Sequence, residues 1–133
     1  MGALIDSSVL IAAERGGLAL NAVLPRHAAD EAAISAVTAS ELLHGVVRAR
    51  SASHRHRRQQ FVEALFGVLP VLPFDLLAAR VHARIWAKLA QDGSMVGERD
   101  LMIGATALSR DLLIITRDRR SFPRIPSLRI EFV

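Results

Sequence analysis

The chain has no cysteine and no tyrosine, a single tryptophan at Trp86 and a single lysine at Lys88. Without thiols there is no disulfide framework, no thiolate metal site and no cysteine nucleophile, and nothing marks an oxidising compartment. No apolar run approaches the ~20 residues of a membrane helix, and Asp6 interrupts the first apolar stretch before it could resemble a leader. The expectation is a protein of the cytoplasm with no membrane contact. The near-absence of lysine makes the charge almost wholly arginine: 17 basic against 13 acidic residues, for a net charge of +4. Arginine pairs well with phosphate, so this balance favours an anionic partner. The same bias also follows from genome composition.

What is present suffices for one ordinary domain spanning 1–133. Half of the 133 residues (51%) are hydrophobic, enough for a core without staples. Gly2 to Ile5 is a short apolar strand. Asp6 or Ser7 can cap a helix through Val9, Leu10, Ala12 and Ala13 that Gly16 and Gly17 stop. A poorly patterned helix over Leu18 to Leu24 leads into a polar connection from Arg26 to Glu31. Ala32 to Ala36 is a weak strand candidate. Thr38 opens a helix with Leu42, Leu43, Val46 and Val47 on its apolar face, and Glu41 three residues on has capping-box spacing. His44 lies close to the same face as Glu41.

Arg48 to Arg58 reads as a connection between helices with a basic crest. The crest, Arg48, Arg50, Arg55, Arg57 and Arg58, is a candidate phosphate-contacting patch, with Arg55, Arg57 and Arg58 singled out within it and a solvated arginine-rich turn as the alternative. His54 and His56 lack the four-residue helical spacing of a zinc pair. Val68 to Leu72 is a short strand that Pro70 assigns to a sheet edge, because proline cannot donate to the ladder. Asp75 caps a regular helix with Leu77, Val81, Ile85 and Leu89 on one stripe and Arg80, Arg84 and Lys88 on another. Trp86 reads as a core or interface residue. Gly93 ends that helix. Leu101, Ala105 and Leu108 recur at helical spacing after Asp100, Leu112 to Thr116 is a strand apolar on both faces, and Leu128 to Val133 is a last edge strand.

Strands alternating with helices predict an α/β fold, a mainly parallel sheet of four or five strands with helices on both faces. Ligands bind such sheets at the carboxyl ends of the strands. Asp6 follows the first strand, Glu41 and Asp100 lie near the starts of helices, and Asp118 follows the fourth strand, so all four can share one rim. Helix capping accounts for each acid singly but not for their common rim. Clustered carboxylates repel unless cations occupy the site, and oxygen donors without His or Cys suit Mg²⁺ or Mn²⁺. Glu98, a further acid nearby, reads as exposed.

LIDSSVLI, SAVTASELLHG, GERDLMIGATAL and ITRDRRSF, in this order and at these separations, resemble the motifs of PIN-domain ribonucleases, most nearly the VapC toxins of type II toxin–antitoxin pairs. The resemblance runs from Ala3 to Phe122. It implies a PIN-like three-layer sandwich and an endoribonuclease that hydrolyses RNA with Mg²⁺, Mn²⁺ substituting. It implies that Asp6, Glu41, Asp100 and Asp118 are the catalytic set, that Asp6 and Asp100 are the main metal ligands, and that Thr116 supports them. Many relatives carry Asn where Asp118 stands, which leaves its duty open between ligand and positioner of water. Arg117 and Arg119 flank the site as candidate RNA contacts. A homodimer and a cognate VapB-like antitoxin are further implications. One alternative is a PIN domain that binds RNA or protein without cutting. A phosphoacceptor receiver domain, which also has an acidic Mg²⁺ pocket, wants a lysine at a strand end, whereas Lys88 reads as mid-helix.

Overall fold

The computed structural model describes residues 2–23 and 31–133. Five strands form one parallel sheet: β1 (Ala3–Ile5), β2 (Ala32–Ser35), β3 (Val71–Leu72), β4 (Leu113–Thr116) and β5 (Ile130–Phe132), in the order β3-β2-β1-β4-β5. The helices are α1 (Ser7–Glu14), α2 (Leu20–Val23), α3 (Ala36–Val47), α4 (Ala52–Val68), α5 (Leu76–Gln91) and α6 (Glu98–Ser109), with a 3-10 turn at Phe122–Arg124. Alternation along the short strands divides the core into two layers. Ala3, Ile5, Ile34 and Ile115 pack with Val9, Leu42, Val46, Val62 and Leu65 of α1, α3 and α4. Leu4, Ala33 and Ile114 pack with Ile85, Leu89, Leu101 and Ile103 of α5 and α6. The expected three-layer α/β sandwich is therefore present, with every strand pairing parallel. No helix among the described residues is long and apolar enough to cross a membrane.

Several expected elements shift. Helix α3 starts two residues before Thr38: Ser35 caps it, its Oγ accepting from the Thr38 backbone N–H at 2.9 Å. Thr38 is thus inside the helix, and the capping-box reading of Glu41 does not hold. Ser35 wins the cap because it ends β2 in extended backbone, the geometry a cap needs. The basic crest is largely helical: α4 starts at Ala52 and carries Arg55, Arg57 and Arg58 on its first turns. Val68 closes that helix, which leaves only Val71 and Leu72 as strand, at the sheet edge as Pro70 indicated.

On α5, Asp75 caps as expected, its Oδ1 accepting from the Ala78 N–H at 3.0 Å. The buried stripe there is Ala78, Ile85 and Leu89, while Leu77 is exposed. Trp86 is 62% exposed and so is no core residue; its ring stands 5.7 Å from that of His82. The helix expected over Leu18 to Leu24 is the short α2, and the polar connection from Arg26 lies outside the described residues except for Glu31.

A candidate acidic active site at the carboxyl rim of the sheet

The strands all run parallel, but their order reverses at β1: β2 and β3 lie on one side, β4 and β5 on the other. Such a switch point opens a crevice at the carboxyl ends of the strands. Register decides what faces it. Ile5 pairs with Ile115, and the Asp6 N–H donates to the Ile115 carbonyl at 2.9 Å, so Asp6 emerges beside Thr116. Asp6 is 3% exposed. Its Oδ2 accepts from the Ser8 hydroxyl at 2.7 Å and from the Thr116 hydroxyl at 2.9 Å, and from the Ser8 N–H at 3.4 Å. Asp6 is therefore both the cap of α1 and the most deeply set acid of the rim.

Thr116, fully buried, extends the chain of bonds: its Oγ1 accepts from the Asp118 N–H at 2.9 Å. Asp118 is oriented in turn by the Arg120 and Ser121 N–H groups, which donate to Oδ1 at 2.8 and 3.3 Å. The Ser8 hydroxyl accepts from the Arg117 N–H at 3.0 Å, closing the loop after β4 onto α1.

Glu41 and Asp100 reach the same place from helices. Glu41, half-buried on α3, is bonded by the Ser7 side chain, yet its Oε1 is buried with no hydrogen-bond partner among the described residues. Burial pushes its carboxyl above the ordinary value, and the charges of Asp6 and Asp100 push it further. Asp100, in the first turn of α6, is raised mainly by burial, against a bond from the Ser121 side chain, and then by Asp6 and Asp118. These mutual repulsions tie the four expected acids into one electrostatic cluster. The charge of Arg99 lowers both Glu41 and Asp100 and so offsets part of that repulsion. Glu98 is exposed, as expected.

Four supporting residues escaped the reading of the sequence. Ser8 could have been found from its place two residues after Asp6, a common spacing for local side-chain bonds. Ser7, Arg99 and Ser121 meet their acids only through the fold. Among the arginines expected to touch RNA, Arg55, Arg57, Arg117 and Arg119 are exposed and Arg58 is half-buried. Arg119 lies over the Phe132 ring at 4.3 Å, Arg55 donates to the Ala49 carbonyl, and Arg58 bridges Glu14 at 3.3 Å and donates to the Gly45 carbonyl.

Among the described residues no three acidic or imidazole side chains form a ready-made cage for an ion. The donor chemistry nonetheless fits a hard cation. All donors at the rim are oxygens, one of them, Glu41 Oε1, is buried and unpartnered, and two of the acids are held above their ordinary proton affinity by burial and by one another. A cation would relieve that repulsion.

Residues 3–128 match the PIN domain family. The chain is 33% identical over 130 residues to a ribonuclease VapC of Rickettsia bellii, covering 98% of this chain and 95% of that one. It is 39% identical over 98 residues to a tRNA(fMet)-specific endonuclease VapC of Salmonella typhimurium, covering 74% and 72%. Its fold superposes on the crystal structure of DNA-bound VapBC from Salmonella typhimurium with a TM-score of 0.90, at 30% identity and 99% and 98% coverage. With sequence and fold agreeing over nearly the full length, the chain belongs to the PIN-domain family, among the VapC ribonucleases.

Proposed function

We propose that this chain is the endoribonuclease toxin of a toxin–antitoxin pair, cutting RNA phosphodiester bonds with the help of Mg²⁺ or Mn²⁺ held at the acidic rim. The observation that carries the reading is Asp6, buried and oriented by two hydroxyls at the switch point of the sheet, with Glu41 and Asp100 close enough to be raised by its charge. Asp6 and Asp100 would hold the ion, with the free Oε1 of Glu41 turned toward it. When bound, a divalent ion supplies charge relief at the phosphate and acidifies water. Thr116 and Ser8 keep the Asp6 carboxylate in one rotamer, so that little reorganisation is left to the moment of reaction. Asp118, pinned through Oδ1, keeps its other oxygen for positioning water. Solved relatives crystallise as VapBC complexes, which supports a cognate VapB-like antitoxin as partner. A homodimer and a cytoplasmic location complete the proposal.

Total cellular RNA incubated with the purified protein tests it. Discrete fragments are expected with Mg²⁺ or Mn²⁺, and none with EDTA or with Asp6→Ala. A folded wild-type protein that never cuts under these conditions would overturn the enzymatic reading in favour of an RNA- or protein-binding PIN domain.

A further inference from the structure

Beside the acidic rim the fold opens a cavity of about 560 Å³ that reaches from Glu41 along α1, α3 and α4. A second, of about 340 Å³, shares Arg15, Gly45, Arg48 and Arg58 with the first and continues to Arg50 and His54. The two form one track that begins at a catalytic acid and ends between the first turn of α4 and the loop before it. The charge along it is one-sided. Of the two acids on its walls, Glu41 belongs to the reaction centre and Glu14 is taken by Arg58. Arg58 acts as a strut, its guanidinium joining α4 to Glu14 of α1 and to the Gly45 carbonyl of α3. Arg15, Arg48 and Arg50 are exposed, and their guanidinium groups have no hydrogen-bond or ion-pair partner among the described residues.

Arg15 and Arg48 also cap the C-terminal ends of α1 and α3, where a cation complements the helix dipole. That role explains neither Arg50, which lies outside any helix, nor the shared cavity. No aromatic ring of Phe or Trp lines the track, so it suits a charged backbone better than stacked bases. Arginine forks match phosphate oxygens.

We infer that Arg15, Arg48 and Arg50 form a phosphate-binding track that seats the RNA strand on one side of the scissile bond, leading it away from Glu41. The inference rests on the RNA-cleaving reading and assigns the strand a path. Of the basic crest it keeps Arg48 and Arg50, adds Arg15 from the end of α1, and leaves out the outward Arg55 and Arg57 of α4.

The test is binding of a fluorescently labelled single-stranded oligouridylate to the protein with Asp100→Asn, which blocks cutting, across a range of salt concentration. Replacing Arg15, Arg48 and Arg50 together by Ala should flatten the slope of log affinity against log salt by about two units, at roughly 0.7 per phosphate lost. Replacing the same three by Lys should restore most of the slope. Arg58 stays, and circular dichroism confirms that each variant is folded. An unchanged slope overturns the inference. If the slope is unchanged while a polyglutamate probe is lost, the track belongs to an acidic polypeptide. The outcome is separable from the reaction itself: wild-type cutting with an unchanged slope removes the track alone, whereas a flattened slope without cutting in any condition removes the reaction and leaves the track.

Discussion

At Thr116 one hydroxyl does two jobs. It donates to Asp6 Oδ2 and accepts from the Asp118 N–H, both at 2.9 Å, in a fully buried position. Valine has nearly the same shape and neither bond, so Thr116→Val leaves Asp6 short of a donor and the Asp118 amide short of an acceptor. Leaving such groups unsatisfied costs about 1–3 kcal/mol. We expect a loss of that size in urea denaturation, together with slower RNA cleavage, while Thr116→Ser retains both. Equal stability and activity in the valine variant would show that the bonds contribute nothing. Glu41 poses the opposite case, an oxygen with no partner at all among the described residues, tolerable in a half-buried group facing a site that a cation can enter.

Among the elements, α3 shows how a local signal can point to the wrong residue. Thr38 and Glu41 have the spacing of a capping box, but the helix had already begun at Ala36 under Ser35. Ser35→Ala should therefore destabilise by about 1 kcal/mol, as removal of a serine cap does. Glu41→Ala should cost the helix nothing, whereas it would break a capping box, in which Glu or Gln serves equally. A thermal or urea melt of both variants distinguishes the two assignments, and a larger loss for Glu41→Ala would reinstate the box. Helix α6 has the converse arrangement. It starts at Glu98, after Gly97, which offers no side-chain cap, and its first-turn acids Glu98 and Asp100 complement the positive end of the helix dipole. The dipole favours an acid there; it does not say which of the two turns inward. Packing of Leu101 and Ile103 against the sheet sets the rotation of the helix, which puts Asp100 on the rim and Glu98 in solvent.

For the molecule as a whole, the rim trades stability for function. Asp100 and Glu41 are raised above their ordinary values of 3.8 and 4.5, so the folded state binds protons more tightly than the unfolded chain. Stability of the metal-free protein then falls as pH rises through the window above those values, and it is recovered on acidification. Asp75, lowered chiefly by the Ala78 N–H, acts with the opposite sign, its contribution being lost as pH falls through and below 3.8. Urea midpoints measured from pH 4.5 up to neutrality isolate the first effect. Across that range Asp100→Asn should show a flatter dependence than wild type and be the more stable protein at neutral pH. A parallel dependence in the two proteins would mean that Asp100 carries no repulsion. Bound divalent ion should reverse the wild-type trend, because it favours the ionised carboxylates.

The sequence by itself determined the class of fold and pointed to four acids near one rim. Short, continuously apolar runs around Leu4, Ile34 and Ile114, set between helical stripes, can be buried only by a sheet covered on both faces. Asp6 and Asp118 follow strands and Asp100 stands in the first turn of a helix, ends that such a sheet sends to its carboxyl edge, whereas Glu41 lies on the second turn of α3. Periodicity and end signals are local, and so they can be read along the chain. Tertiary structure alone decided the rest. The pairing of Ile5 with Ile115 brings the Thr116 hydroxyl to Asp6, and the Ser121 side chain meets Asp100 only when the loop after β4 folds back over α6. The arginines followed the same rule: Arg58 reads as a free basic residue until Glu14 and the Gly45 carbonyl are placed beside it, and Arg15 and Arg50 share a groove only after α1, α3 and α4 have packed on one layer. Charge is written in the sequence, but its partners are chosen by packing between residues far apart in the chain.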